Sequence, residues 1–366
     1  MYVKLMTVFA GIVLATLACS AVETPGNRAV EGRTLDELYQ AALKEGGKLV
    51  VYAGGDVPDG NAGIEKAFRE RFPGIDIRII TDLSKYHDTR IDQQLARGRL
   101  ECDVAHLQTM HDFDRWKAEG VLEPYFPRGW DAVYPEFKDP DGAFTAVKLF
   151  SFSNIVASSI PDAEAPRDAL DYLDPRFKGR LVMTYPHDDD AVLFQFDRIV
   201  GKYGWEYMDR LMRQDVQWIR GTVPANRVVQ SGAKAATFTA AGSLIPAASS
   251  RFVLPDKDTF LVWPQMAAIF RASPNKEAAR LYISWMLDPE AITAMPYQWV
   301  VRRDVANPAG YDAVYAYNTD VSAFRRFMAD RARVERLKGQ FEHLIGPAVG
   351  DNPTQATGLY LLEKNK

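Results

Sequence analysis

Residues 48–81, KLVVYAGGDVPDGNAGIEKAFRERFPGIDIRIIT, carry two strand patterns with a helix pattern between them. KLVVYAGG is a short apolar run that ends in two glycines, and IDIRIIT is a second strand-like run. Between them, NAGIEKAFRERFPG has the apolar spacing of an amphipathic helix and is stopped by Pro73 and Gly74. Strand, helix and strand in this order are typical of parallel strands in an α/β sheet.

The same alternation continues on both sides of this unit. TLDELYQAALKEG, residues 34–46, predicts a helix that Thr34 caps and glycines end. HDTRIDQQLARGR (87–99) predicts a helix, CDVAHLQT (102–109) a strand and MHDFDRWKAEG (110–120) another helix. The repetition predicts a parallel sheet with helices on both faces.

A second lobe is predicted where this pattern stops. The segment Tyr125–Ala146 is rich in proline and glycine, and VKLFSFSNIVAS after it reads as strands that lead away. TFLVWPQMAAIFRAS (259–273) is strand-rich and would return the chain to the first lobe. We therefore expect a hinged clamshell in which residues 22–146 and 270–366 form lobe one and residues 147–269 form lobe two.

The N-terminus predicts export. An early Lys4, an apolar run from Leu5 to Ala18 and a polar exit are typical of a secretory signal peptide, residues 1–21. Cys19 allows a lipoprotein reading, although the leucine expected three positions before it is absent. Without Cys19, Cys102 has no disulfide partner, and a small buried side chain is its expected state.

Composition and motifs exclude several function classes. The formal net charge is −4 and no basic patch is evident, so we expect no nucleic-acid partner and no anionic membrane surface. No G-x-S-x-G, Walker, H-E-x-x-H or Cys-x-x-Cys motif occurs, and AGGDVPDGNAG does not fit G-x-G-x-x-G. These absences disfavour the corresponding enzyme classes, and the sequence predicts no bound cofactor.

Three consecutive carboxylates, Asp188 to Asp190, stand directly before an apolar helix pattern. One carboxylate is enough to cap a helix, where it stabilises by about 1 kcal/mol. The remaining aspartates either add to the stabilisation of the helix or bind a ligand cation, an ammonium group or a hydroxyl group. His87 and His187 each neighbour carboxylates and could close around a cation, or they are ordinary polar loop residues.

The order of these segments resembles the extracellular solute-binding proteins of ABC importers, in the group that includes the ferric-iron-binding type and secreted fungal relatives. The similar segments are LDELYQAALKEGGKLVVYAGG, IEKAFRERFPGIDIRI, CDVAHLQT, LDYLDPRFKGRLVMTYP, NKEAARLYISWMLDPEA and FEHLIGPA. The resemblance implies a two-lobe type-II periplasmic-binding-protein fold, with each lobe a mixed sheet flanked by helices and two hinge crossings between them. It also implies a binding protein that is not an enzyme, a monomer outside the cytoplasm, periplasmic or secreted, that hands a solute to ABC permease subunits.

Two departures from the family pattern bear on the ligand. Ferric-binding members use adjacent tyrosines where this chain has Thr237 and Phe238. Members that bind an anion at the second-lobe helix use small residues where this chain has the aspartate trio, so the trio favours a cation or a ligand with ammonium or hydroxyl groups. Whether a metal is bound stays open.

The resulting hypothesis is a protein that captures a small polar solute or an ion in an interlobe cleft. A secreted protein that sequesters a solute without a permease and a hydrolase that uses cleft Asp and His residues are the alternatives. Strand-end positions select the residues that we expect to line the cleft. They are Asp56, Ser84, Lys85, Tyr86, His87, Gln108 and Thr109 from lobe one and Tyr185, His187, Asp188, Asp189, Asp190, Arg220, Thr222 and Thr237 from lobe two.

Overall fold

The computed structural model describes residues 29–362 of the 366-residue chain. The predicted signal peptide and Cys19 lie outside the described residues. None of the helices within 29–362 combines the length and the apolar character that a membrane crossing requires. Cys102 is a free thiol and is buried.

Helices and strands alternate along the first third of the chain and again after residue 180. The helices are α1 Leu35–Glu45, α2 Ala62–Arg71, α3 Ser84–Ala96, α4 Met110–Ala118, α5 Asp190–Tyr203, α6 Glu206–Met212, α7 Thr222–Gln230, α8 Lys276–Met286, α9 Pro289–Ala294, α10 Ala323–Ala329 and α11 Arg331–Ile345. The strands are β1 Lys48–Gly54, β2 Asp76–Asp82, β3 Val104–Leu107, β4 Leu122–Glu123, β5 Thr145–Phe152, β6 Asn154–Ala157, β7 Val182–Thr184, β8 Gln217–Ile219, β9 Ala236–Thr237, β10 Ser250–Val253 and β11 Leu261–Phe270.

The larger sheet has the order β2-β1-β3-β11-β4, and β5 pairs with β11. Strand β1 is parallel to β2 and to β3, which confirms the parallel strands expected from residues 48–81. Strand β11 runs antiparallel to β3, β4 and β5, because it brings the chain back from the second lobe. The sheet is therefore mixed.

The second lobe is built on two small sheets. One has the order β10-β6-β9 and the other pairs β7 with β8 in parallel. The chain passes from the larger sheet to this lobe at Ser153, between β5 and β6, and returns between β10 and β11. The residue boundaries of the two lobes stay a prediction.

A capping side chain marks the start of α1 in the sequence, whereas α3 has none, and the start of α3 was predicted wrongly. Thr34 and Glu37 form a capping box at α1, as its sequence suggests. The sequence predicts a helix that starts at His87, but α3 begins at Ser84, with only Leu83 between it and β2. No side chain caps α3, so the sequence carries no start signal there.

The C-terminal helices pack against both lobes. Phe324 and Phe327 of α10 contact Phe194 of α5, at ring-centroid distances of 5.8 and 4.8 Å. Helix α10 also packs on α4, and Phe341 of α11 lies 5.7 Å from Phe196 of α5. These apolar contacts continue into the main core, which extends from α4 through β5 and β11 to α5.

Candidate functional site

A cavity of about 530 Å³ lies at the carboxyl ends of the strands of the larger sheet. It is bounded by the loop after β1, by β5 and β11, and by the first residues of α3, α5 and α7. Ligand sites in open α/β sheets lie at such strand ends, and the volume is typical of pockets for small molecules. Five of the predicted residues line this cavity: Asp56, Ser84, Gln108, Asp189 and Thr222.

Asp56 reaches from the loop after β1 to the N-terminus of α7. Its Oδ2 accepts the backbone N–H groups of Thr222 and of Val223, the latter at 3.0 Å. The residue at the cap position of α7 is Gly221, which has no side chain to do this and has a φ of 84°. Asp56 therefore supplies the cap of a helix that belongs to the other lobe.

The floor of the cavity is held by a short hydrogen-bond chain. Ser84 Oγ accepts the backbone N–H of Gln108 at 3.2 Å, and Gln108 Oε1 accepts the indole N–H of Trp263 at 3.0 Å. The Gln265 amide donates to Gly54 O at 3.2 Å. A Cβ on Gly54 would overlap Ser84 Oγ and lie 3.1 Å from the Gln265 amide nitrogen, so a larger residue here would displace these two side chains.

Lys148 of β5 lines the cavity and was not predicted. It stands opposite Gln265 of β11, and its ammonium lies 4.8 Å from the Phe150 ring centroid and 5.2 Å from that of Tyr297. Within residues 29–362 it makes neither a hydrogen bond nor an ion pair, and burial lowers its pKa to about 8. A single lysine inside the apolar run AVKLFSF was the signal that could have identified it.

Each member of the aspartate trio has a partner within the protein. Asp188 accepts from Arg220 Nε at 2.8 Å and Nη2 at 3.0 Å, and lies 2.8 Å from Lys85 Nζ. Asp189 Oδ1 caps α5 by accepting the N–H groups of residues 191 and 192 at 2.8 and 2.9 Å. Asp190 lies 3.2 Å from Lys338 Nζ of α11. The trio thus serves a cap and two ion pairs, and the reasoning that gave its charge to a ligand cation loses its basis.

The environments of Asp188 and Asp189 shift their pKa values in opposite directions. Burial would raise the pKa of Asp188, but the hydrogen bonds from Arg220 and the charge of Lys85 outweigh it and hold the pKa below its usual range. Burial raises the pKa of Asp189 to about 7 against the opposing backbone N–H of Val192. The protein thus favours the protonated form of Asp189 more than that of an ordinary aspartate.

Lys85, Asp188 and Arg220 form what we call the Asp188 bridge, beside the cavity and outside its lining. Lys85 belongs to the first turn of α3, whereas Asp188 and Arg220 belong to the second lobe. Arg220 Nη2 also donates to the hydroxyl of Tyr86 at 3.4 Å. These four predicted site residues connect the lobes and do not face the cavity.

The remaining predicted residues point elsewhere. His87 is fully buried, with Nε2 2.9 Å from Ile80 O and Nδ1 2.8 Å from Arg90 Nη1. Burial, and then the charge of Arg90, lower the pKa of His87 to about 3, so the ring is neutral. Its position in α3 turns it into lobe one and away from the cavity. The other predicted side chains outside the lining are Thr109, Tyr185, His187, Asp190 and Thr237.

Thr237 and Phe238, which replace the tyrosine pair of the ferric-binding type, are both buried. Thr237 Oγ1 lies 3.0 Å from Thr239 Oγ1, and the Phe238 ring packs edge-on against Tyr172 at 4.9 Å. Neither side chain lines the cavity. Among the described residues, the one group of His, Cys, Asp and Glu side chains placed to hold a metal ion together is Asp88, His111 and Asp112, outside the cavity.

Comparison with known proteins agrees with this architecture. The family model described as bacterial extracellular solute-binding protein matches residues 107–317, more than half of the chain. That description is of a binding protein outside the cytoplasm and not of an enzyme, as the sequence predicts. No curated protein matches the chain.

Solved structures show the same fold at low sequence identity. The substrate-binding protein of an ABC transporter from Agrobacterium tumefaciens has a TM-score of 0.70 and 16% identity, over 81% of this chain and 94% of that one. AfuA from Actinobacillus pleuropneumoniae, with bound fructose 6-phosphate, has a TM-score of 0.66 and 17% identity over 83% and 100%. Iron-bound HitA from Pseudomonas aeruginosa has a TM-score of 0.62 and 16% identity over 80% and 99%. This chain therefore belongs to the bacterial extracellular solute-binding protein family and has the two-lobe type-II periplasmic-binding-protein fold.

Proposed function

We propose that this protein captures a small solute with an anionic group, such as a phosphate or carboxylate, and delivers it to an ABC importer. The anionic group is bound at Lys148, and the rest of the solute occupies the cavity between the two lobes. The single observation that carries this proposal is the unpaired ammonium of Lys148 on the cavity wall.

The balance of charges in the cavity favours an anion over a cation. Each carboxylate of the lining already has a partner: Asp56 and Asp189 accept backbone N–H groups at helix N-termini, and Asp59 lies 3.6 Å from Arg227. Lys148 has none within residues 29–362. A half-buried ammonium without a counter-charge is costly, and an anionic ligand removes that cost.

The other lining residues suit the uncharged part of such a solute. Phe150, Trp263 and Tyr297 supply aromatic surface, and Ser84 and Gln108 supply hydroxyl and amide groups. Largely apolar walls with a few fixed polar groups are typical of small-molecule sites. A hydroxylated ring or a short polyol fits this combination.

The comparisons support the proposal in two respects. AfuA, which shares the fold, was crystallised with fructose 6-phosphate, a hydroxylated solute with an anionic group. The Agrobacterium protein is the substrate-binding component of an ABC transporter. Delivery to a permease is the proposed use of the bound solute, and sequestration outside the cell without a permease is the alternative.

Matched ligand pairs test the anionic group directly. Mature protein, residues 22–366, would be titrated calorimetrically with fructose 6-phosphate and fructose, glucose 6-phosphate and glucose, and with citrate, spermidine and Fe³⁺. The proposal predicts that the anionic member of a pair binds and its neutral counterpart does not. Binding of spermidine or Fe³⁺ in preference to all anions would contradict it.

The variant Lys148→Met keeps an unbranched side chain that is one heavy atom shorter and removes its charge. A charge-assisted hydrogen bond contributes about 1.5–3 kcal/mol, so we expect about 10- to 150-fold weaker binding of the anion. Lys66→Met is the matched control, since Lys66 is exposed on α2 and does not line the cavity. Equal affinities of the two variants would refute the assignment of Lys148.

Transport separates delivery from sequestration. Deletion of the gene in its source organism should abolish uptake of the radiolabelled anion identified above. Uptake that is unaffected, together with protein that holds the anion in the medium, would favour sequestration.

A further inference from the structure

A second group of chemically active side chains lies between α3 and α4, outside the cavity. Asp88 is on α3, and His111 and Asp112 are in the first turn of α4. Each offers one ligand atom, and the three atoms lie within 4.8 Å of one another. His111 Nε2 is 3.6 Å from Asp112 Oδ2. Two ligands of one tetrahedral ion with bonds of about 2.0–2.1 Å are separated by a similar distance, about 3.3 Å.

Asp112 provides an independent sign that this group is incomplete. It is only 4% exposed, and its Oδ1 accepts from Arg115 Nη2 at 2.8 Å. Its Oδ2 is buried, and no N–H or hydroxyl group of the described residues donates to it, while the carboxyl group of Asp88 is in contact with Asp112. Nδ1 of His111 is also buried there without a partner. Buried carboxylate oxygens in proteins are normally paired or coordinate a metal.

The local charges leave room for a cation. Asp88, Asp92 and Asp112 bring three carboxylates to the facing sides of α3 and α4. Arg115 is shared between Asp92 and Asp112, and also contacts Glu119. It therefore does not supply a positive charge for each carboxylate.

We propose that Asp88, His111 and Asp112 form a binding site for a divalent transition-metal ion, with Zn²⁺ as the preferred ion and water completing its coordination. One imidazole with two carboxylates suits Zn²⁺, whereas Ca²⁺ and Mg²⁺ prefer sets made of oxygen alone. The ion would connect α3, whose first residue lines the cavity, with α4, which begins two residues after Gln108. It would thereby hold the two helices of lobe one that flank the solute.

Calorimetric titration of EDTA-treated mature protein with ZnCl₂ tests the site. We expect one Zn²⁺ per chain and an increase of the melting temperature by several degrees at saturating Zn²⁺, with weaker responses to MgCl₂ and CaCl₂. Failure to bind Zn²⁺ stoichiometrically, or tighter binding of Ca²⁺ than of Zn²⁺, would overturn the proposal.

Three variants locate the ion. His111→Gln and Asp88→Asn should each weaken Zn²⁺ binding at least 10- to 100-fold, whereas His343→Gln, at an exposed histidine of α11, should leave it unchanged. Circular dichroism of the metal-free variants confirms that they are folded. Both site variants leave Asp112 in place, because Asp112 is the partner of Arg115 and its replacement would also break that ion pair. Binding that survives both site variants would overturn the assignment.

Discussion

Replacement of Asp188 or Asp189 by asparagine should have opposite effects on stability, although the two residues are adjacent. Asp188→Asn removes the one negative charge of the Asp188 bridge and leaves Lys85 and Arg220 together without a counter-charge. Asp188 is 9% exposed, so solvent compensates little. Breaking such a pair by removing one partner costs about 2–4 kcal/mol of unfolding free energy.

Asp189→Asn should instead raise the free energy of unfolding at pH 8. Asparagine caps a helix as well as aspartate does, so the hydrogen bonds to the first turn of α5 remain possible. The variant also removes a charge whose burial raises the pKa of Asp189 to about 7. A rise of the pKa by about 3 from the ordinary value near 4 means that the buried charge lowers the free energy of unfolding by at most about 4 kcal/mol. The variant regains this but loses about 0.3–1 kcal/mol of attraction between the charge and the helix dipole. We expect a gain of about 1–3 kcal/mol.

The pH dependence distinguishes the two residues further. Asp188 has a lowered pKa, so its contribution is present above about pH 4 and is lost as the pH falls below that. Asp189 has a raised pKa of about 7, so the folded state binds more protons than the unfolded state between about pH 4 and pH 7. Its contribution is therefore present at low pH and is lost as the pH rises through this window, and Asp189→Asn should remove that loss.

Melting temperatures and urea midpoints from pH 4 to pH 8 provide the measurement. Asp36→Asn is the control, because Asp36 is 73% exposed and pairs with the exposed Arg71 at 2.7 Å, and such surface pairs contribute about 0–1 kcal/mol. Each kcal/mol should move the melting temperature by about 2 °C in a chain of this size. The reasoning is refuted if Asp189→Asn lowers the melting temperature at pH 8 as much as Asp188→Asn does.

Three further predictions concern the cavity. Affinity for an anionic solute should fall up to tenfold per pH unit above about pH 8, because the free protein loses the charge of Lys148 there. Calorimetric titrations from pH 6.5 to 9.5 measure this affinity, and an affinity that does not change with pH would contradict the prediction. Gly54→Ala should lower the free energy of unfolding by about 1–3 kcal/mol and weaken solute binding, because its Cβ would overlap a serine hydroxyl. Gly63→Ala has open space around it and should instead raise the free energy of unfolding, measured in urea, by about 0.5–1 kcal/mol. His87→Ala should destabilise lobe one by about 2–4 kcal/mol and leave solute affinity unchanged; a loss of affinity in a folded variant would return His87 to the cavity.

The alternation of strands and helices was readable from the sequence because it depends on local chemistry. Residues 48–81 contain clear apolar runs, helix spacing and glycine or proline stops, and the structure forms β1, α2 and β2 there. The start of α3 lacks a capping side chain, and the same reasoning missed it by several residues. Because α3 starts earlier than predicted, His87 lies within the helix and faces the core. Its position after a strand could not show this.

The site was only partly readable, because pairing between distant residues decides which charges remain free. The aspartate trio is conspicuous in the sequence, but Lys85, Arg220 and Lys338 pair with it from elsewhere in the chain. Lys148 looks like an ordinary strand residue in the sequence. It becomes informative only once β5 and β11 place it beside Gln265 and two aromatic rings, without a carboxylate.

The N-termini of α5 and α7 both face the cavity, and carboxylates of the protein occupy both. Asp189 caps α5, and Asp56 caps α7 from the opposite lobe. A helix N-terminus otherwise attracts anions, so in the proposed function these two caps direct an anionic solute to Lys148. Asp56→Ala should cost about 1–2 kcal/mol and should also open α7 to a free anion.

Sulfate at 10 mM should therefore raise the melting temperature of Asp56→Ala more than that of the wild type or of Asp59→Ala. Asp59 is the matched control because it belongs to the same loop and its side chain is 69% exposed. Equal shifts in the three proteins would show that Asp56 does not keep anions from α7. The α7 N-terminus would then fail to bind anions even without the Asp56 carboxylate. Capping by Asp56 would not explain why an anion binds at Lys148 and not at α7.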